Sequence, residues 1–485
     1  MRLLDLGIIL AYLAAITWFG ASFRRRQRSL KDYFLGGRTA PWWAIALSIV
    51  SAETSTLTII GTPALSFAGN LGFLQVVLGY LLGRLLIAWL LLPHYFRGEI
   101  FTAYELIGRR FGERLRRLAA AVFLLLRALA EGVRVFAISL VVSIVLETGE
   151  FASILLIVGL TLFYTFEGGM TAVIWTDVVQ MFIYIAGGLL SFWLLLGHVP
   201  GGLSEVLKTA GAAGKLQIFN FTLALTPEFF RQTYTFWAGL VGGCFLTTAS
   251  HGTEQLLVQR LLAARNQKES RLALLASWVV IAFQFTLFLL IGLALYVFHM
   301  RMKLPPPAVA DRIYPEFVWQ YLPPPVSGLV VAAILAAAMS NLSAALNALA
   351  STSIIDFYLP LTGARRNSQG EAHQLKMART VTILWGGVLL VIGYLARQWG
   401  PVLEAGLSIA SVIYGGLLGV FLLGVLTRRV GERAAIAGMV AGLAVMALVR
   451  ASTAVAWTWY VVIGSSVTFC TGLAASFLLA ERKHV

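Results

Sequence analysis

Apolar residues run through this chain in long blocks; they neither alternate nor keep to one helical face. Thirteen blocks can be drawn, at about 3–22, 42–67, 72–95, 116–146, 150–166, 172–196, 232–258, 271–299, 325–357, 377–396, 401–426, 434–450 and 456–479. Most approach or exceed the roughly 20 residues that an α-helix needs to cross a hydrocarbon layer of about 30 Å. Inside such a layer the backbone must bond to itself, which leaves helices and closed barrels, and unbroken apolar runs select helices. The pattern predicts an all-α polytopic membrane protein, a single transmembrane domain over residues 1–485.

Composition agrees. Hydrophobic residues make up 59% of the chain and charged residues 12%, against about 25% charged in soluble domains. Too little polar surface remains to cover a soluble enzyme or to keep a chain disordered. The net charge of +15 does not point to nucleic acid, because the basic residues sit in short clusters between blocks. With the N-terminus outside, 25 Lys and Arg fall on the cytoplasmic side and nine outside, as the positive-inside rule requires. This orientation puts the C-terminus in the cytoplasm and suits a bacterial inner membrane. After that assignment Arg84, Arg127 and Arg134 remain, well inside blocks. The first block lacks a basic leader and a small-residue cleavage pattern, so it reads as a retained helix. Cys244 and Cys470 lie in apolar stretches and read as packing residues.

Polar groups inside a span are costly and mark function by default. The second block packs Ser48, Ser51, Glu53, Thr54, Ser55, Thr56 and Thr58 together and continues to Gly61 and Pro63. A helix broken there would free main-chain carbonyls for a small hard cation. In the ninth block Ala337, Ser340, Ala344 and Asn347 share one face, flanked by Asn341 and Ser343. The sixth carries Asp177. The fourth carries Arg127, Glu131 and Arg134 at helical spacing, with one positive charge left over for an anionic solute. The seventh has Gly242 and Gly243, then Ser250, His251, Glu254 and Gln255. Two interrupted helices five blocks apart point to an inverted-repeat transporter, with repeats at 42–196 and 232–426. The helix at 3–22 precedes them and the two helices at 434–479 follow.

Five motifs in order then carry a resemblance over nearly the whole chain. They are Asp32-Tyr-Phe-Leu-Gly-Gly-Arg38, Gly61-Thr-Pro63, and the stretch from Gly168 through Trp175 to Asp177 with Gln180. Gln255-Leu-Leu-Val-Gln-Arg260 and Ala337-Ala-Met-Ser-Asn-Leu-Ser343 followed by Asp356-Phe-Tyr358 complete the set. The chain resembles the sodium:solute symporter family, with the leucine-transporter fold. The resemblance implies Na+ bound by the carbonyls of Ser51, Thr54 and Ala337 and the side chains of Ser340 and Asn341, where the family usually has Ser or Thr. Asp177 and Ser343 would offer a second sodium position, although one serine expected there is Ala344. Arg134 resembles the carboxylate anchor of the sialic-acid branch, and Glu53 matches an aspartate of the proline branch. Thr58 stands where the sugar-binding glutamine falls. Together with His251, Glu254 and Gln255, these three make up the substrate-binding set.

The expected activity is sodium-coupled import of a sugar, sugar acid or other carboxylate, with membrane lipid as surroundings and no obligate protein partner. A channel would need a filter loop, an embedded enzyme clustered acidic residues for a metal, and a sensor a signalling domain. None of these is visible in the sequence. A symporter driven by protons through Glu53 is the nearest rival.

Overall fold

The structure, a computed structural model, describes residues 3–23, 29–98, 100–146, 148–224, 226–305, 312–363, 371–396 and 402–479. The basic cluster Arg24, Arg25, Arg26 and Arg28 lies outside the described residues. The helices that matter below are α1 (Leu3–Ala21), α2 (Trp42–Glu53), α3 (Thr56–Ala68), α4 (Leu74–Leu86), α5 (Glu113–Leu146), α6 (Glu150–Gly197), α7 (Gly243–Gly252) and α8 (Gln255–Leu262). They continue with α9 (Gln267–Met302), α10 (Val326–Thr352), α11 (Glu371–Ala396), α12 (Val402–Leu426), α13 (Glu432–Ser452) and α14 (Tyr460–Leu478). The architecture is all-helical; the described residues form no strand, only an isolated bridge between Ala40 and Ala264.

Nine helices are long and apolar enough to cross a membrane among the described residues, and the bent pair α2 and α3 makes a tenth. The other expected blocks are helical too. The fourth is α5, 34 residues long but charged in the middle. The fifth and sixth join in α6, which bends at Gly169 (φ 55, ψ −153), a conformation open to glycine alone. The seventh is the pair α7 and α8.

Helix α10 sits at the centre, buried along almost its whole length from Ser327 to Thr352. Its composition explains this. Ala, Ser and Gly let neighbours come close, and its polar side chains then need partners on those neighbours. Its N-terminus is capped across the fold by Asp5 of α1, which accepts from Ser327 Oγ (2.8 Å) and Gly328 N (2.9 Å).

The face carrying residues 97–117 is sealed by polar clasps. Arg116 reaches Asp356 (2.8 Å), which also accepts from Thr102 (2.9 Å). Gln259 donates to the Phe34 carbonyl (2.7 Å) and to Asn347 (2.5 Å). At the opposite face Lys215 caps the end of α3, donating to the carbonyls of Phe67 (2.8 Å) and Gly69 (2.9 Å). Partial burial lowers the pKa of this lysine.

Candidate functional site

Two helix breaks lie beside the same cavity, and both show the same local pattern. Helix α2 ends at Glu53, and Thr54 N (2.9 Å) and Thr54 Oγ1 (2.8 Å) both bond to the Val50 carbonyl. Ser55 is extended and opens a capping box with Thr58, so α3 starts afresh at an angle of 67° to α2. Helix α7 ends at Gly252, and Thr253 N (2.9 Å) and Oγ1 (2.8 Å) both bond to the Ala249 carbonyl. Glu254 is then extended (ψ 128) before α8 begins. In both places the threonine hydroxyl shares the carbonyl one turn back with its own N–H, and the residue that follows is extended.

The breaks therefore lie at Thr54–Ser55 and Thr253–Glu254, and not at the Gly61–Pro63 and Gly242–Gly243 steps that the sequence suggested. Pro63 is accommodated inside α3. Gly242 and Gly243 serve packing: a Cβ on Gly243 would lie 2.4 Å from the Val76 carbonyl of α4. The pair buys close approach of two helices, and a π-helical turn at Ala238–Gly242 absorbs the misfit.

At the first break, two of the residues expected around sodium meet. Ser51 Oγ and Ser340 Oγ are 2.6 Å apart across the seam between α2 and α10, and Ala337 is fully buried one turn before Ser340. The Thr54 hydroxyl, besides its bond to Val50, contacts the Gln284 amide of α9 at 2.8 Å. Asn341 does not present a free oxygen. Its Oδ1 accepts from Arg127 and Arg134 (both 3.2 Å), and its Nδ2 donates to the Ala52 carbonyl (2.5 Å). The longer amide spans from the broken helix to the arginines of α5 and acts as a bridge.

The expected second position is different again. Asp177 is fully buried, and its carboxylate accepts from Ser340 (2.6 Å), Ser48 (2.5 Å) and Arg260 (2.7 Å). Arg260 in turn donates to the Ser48 hydroxyl (2.9 Å) and the Leu256 carbonyl (2.8 Å). A guanidinium from α8 thus pairs with the carboxylate expected at the second sodium position. The Ser343 hydroxyl bonds back to the Ser340 carbonyl (2.9 Å).

A cavity of about 180 Å³ opens beside the first break and runs toward Phe73, Tyr234 and Trp457. Glu53, Thr58, Arg134, His251 and Glu254 line it, as expected. Gln255 does not. It accepts from Ala103 N (2.8 Å) and donates to the Phe101 carbonyl (3.0 Å) and Ser351 (3.2 Å), closing the sealed face, because it begins α8 on the far side of the break.

The spare positive charge predicted on α5 is absent. Arg127 bonds to both Glu131 (2.8 Å) and Glu254 (3.2 Å), and Tyr414 donates its hydroxyl to Glu254. Glu53 meets Arg84 (2.7 Å) and His251 (3.2 Å), and Arg84 also donates to Ser277 (3.1 Å). Three arginines face three carboxylates around the cavity. Arg134 still keeps nitrogens in hand: among the described residues its Nη1 alone is engaged, with Glu131 (3.1 Å) and Asn341, and its side chain is 25% exposed.

Sequence reasoning missed Arg84, Arg260 and Gln284 as members of the site. The signal for Arg84 was present, since an arginine in mid-span requires a carboxylate within reach. Arg260 was hidden by its place at the end of a span, where basic residues are ordinary.

The chain is 28% identical to the sodium/sialic acid symporter NanT of Aliivibrio fischeri, over 96% of this chain and 91% of that one. It is 28% identical to the sodium/sialic acid symporter SiaT of Proteus mirabilis, covering 100% of this chain and 98% of that one. It is 30% identical to the human sodium/iodide cotransporter over 91% of this chain and 68% of the relative. Among solved structures, a substrate-bound, outward-open Na+-coupled sialic acid symporter superposes with a TM-score of 0.88 at 26% identity, covering 99% of both chains. The transporter Mhp1 in a closed conformation shares the fold with a TM-score of 0.62 at 15% identity, over 93% of this chain and 94% of that one. The sodium:solute symporter family model matches residues 33–442, and the chain belongs to that family, as a sodium-coupled symporter of an organic solute.

Proposed function

We propose that the protein imports a small organic carboxylate across the cytoplasmic membrane together with sodium, the ion resting in the seam between α2 and α10. The contact of the Ser51 and Ser340 hydroxyls at a helix break carries this reading. Two hydroxyls turned toward each other, with the carbonyls of Ser51, Thr54 and Ala337 close by in the chain, form a neutral oxygen cage suited to an alkali ion. Arg134 holds the carboxylate of the solute with its unengaged nitrogens. Residues 42–196 and 232–426 act as the two repeats that rock about the cavity, which the matched threonine breaks support. The N-terminus lies outside and the C-terminus inside.

One sodium drives modest work. A charge falling through 100 mV releases about 2.3 kcal/mol, and a tenfold gradient adds about 1.4 kcal/mol. Together they would hold a neutral solute at roughly 500-fold accumulation. A monovalent anion cancels the electrical part and is held at about tenfold.

The pairing of Glu53 with His251, two titratable groups at the cavity wall, favours the proton-driven alternative as the second reading. The test is uptake into proteoliposomes by wild type and Arg134→Ala. Sodium-dependent uptake of a carboxylate that is lost in the variant is expected. Full uptake by Arg134→Ala would reduce that arginine to an intrahelical partner of Glu131.

A further inference from the structure

Two groups on the cavity wall differ in chemistry. Arg134 offers N–H groups, and Glu53, the last residue of α2, offers a carboxylate whose side chain is 15% exposed. Glu53 Oε2 takes both Arg84 Nη2 (2.7 Å) and His251 Nε2 (3.2 Å). Glu53 Oε1 has no hydrogen-bond partner among the described residues, and Glu53 lines the cavity. The imidazole is steadied from behind by Ser250 Oγ at 2.9 Å from Nδ1, and Arg84 is fully buried and anchored on Ser277. The carboxylate is thus fixed in place and already neutralised by Arg84. What it lacks is a hydrogen-bond donor, not a cation.

We infer that Glu53, held by Arg84 and His251, is a specificity-determining residue that selects carboxylates bearing hydroxyl groups over aliphatic carboxylates and simple anions. The inference rests on the reading above, in which the solute carboxylate meets Arg134. A hydroxyl of the solute donates to Glu53 Oε1 when the acid end reaches Arg134. An aliphatic acid in the same pose strips water from Oε1 and returns nothing, and sites built to bond a hydroxyl reject analogues that lack it. Because Glu53 keeps some exposure, the discrimination is set at about tenfold or more, below the limit for a dry site.

The experiment uses the purified full chain in sodium buffer. Dissociation constants are measured for hydroxy acids, including gluconate and N-acetylneuraminate, and for aliphatic acids of matched carbon count. At least one hydroxy acid should bind tenfold or more tightly than its aliphatic match, and Glu53→Leu should shrink that ratio to about twofold. Glu53→Gln, which keeps an acceptor oxygen, should retain most of the ratio and serves if the leucine variant does not fold. The readout is a ratio of affinities, which a purely structural role for Glu53 would leave unchanged. Equal binding of hydroxy and aliphatic acids, or a ratio undisturbed in Glu53→Leu, would overturn the inference and leave the carboxylate reading standing. Binding of the neutral polyol sorbitol as tightly as gluconate, with no loss in Arg134→Ala, would instead overturn the reading beneath it.

Discussion

Arg260→Met offers the sharpest mutational test of how charge is arranged in this bundle. The guanidinium lies 2.7 Å from the Asp177 carboxylate, and both side chains are within 1% of complete burial. Two unit charges at that separation attract by about 6 kcal/mol at an effective dielectric of about 20. Desolvation offsets much of this, so the pair itself contributes little net stability. Breaking it is another matter. Methionine keeps the volume but leaves a buried carboxylate with Ser48 and Ser340 alone, at a cost of about 3–5 kcal/mol. Asp177→Asn in the same chain removes the stranded charge and should restore most of the loss.

The assay is a double-mutant cycle on thermal unfolding in sodium-free detergent solution. Sodium should rescue Arg260→Met, since a carboxylate and two hydroxyls then stand ready for a cation. An ion at a hundred times its dissociation constant would return about 2.7 kcal/mol. Additive effects of the two substitutions, or an Arg260→Met protein as stable as wild type without sodium, would refute the reasoning.

Further outcomes follow from the same geometry. Ser340→Ala removes a hydroxyl shared by Ser51 and Asp177; the stabilisation by sodium in a thermal-shift titration should fall at least tenfold in apparent affinity while the helical circular dichroism is kept. Asp5→Ala deletes the cap on the first turn of α10 and should lower stability by about 1–2 kcal/mol without altering the sodium concentration that gives half-maximal uptake.

The sequence made the class of the fold and the place of its helices legible, because lipid leaves a chain few options. Blocks of apolar residues near 20 long translate directly into spans, and polar residues inside them stand out at once. Ser51, Ser340 and Asp177 were visible for that reason. The exact breakpoints were not. Gly61, Pro63, Gly242 and Gly243 looked like breakers, yet the helices end at Glu53 and Gly252, ahead of the extended Ser55 and Glu254. Propensity favoured glycine and proline, while the capping box at Ser55 and Thr58 marks where α3 restarts. Pairings between distant segments were also out of reach. Glu254 lies 127 positions from Arg127 and Arg260 lies 83 from Asp177, so neither the neutral cavity nor the arginine beside Asp177 could be read from spacing. Asn341 shows the same limit. It looked like a longer sodium ligand, and its length instead lets it span from the Ala52 carbonyl to two guanidinium groups.

The most direct test of the whole account is uptake of a bound carboxylate into proteoliposomes with either a sodium gradient or a proton gradient imposed at the same membrane potential. Accumulation is expected with inward sodium, none with choline in its place, and no drive from a proton gradient alone. Uptake that follows the proton gradient and ignores sodium would contradict it.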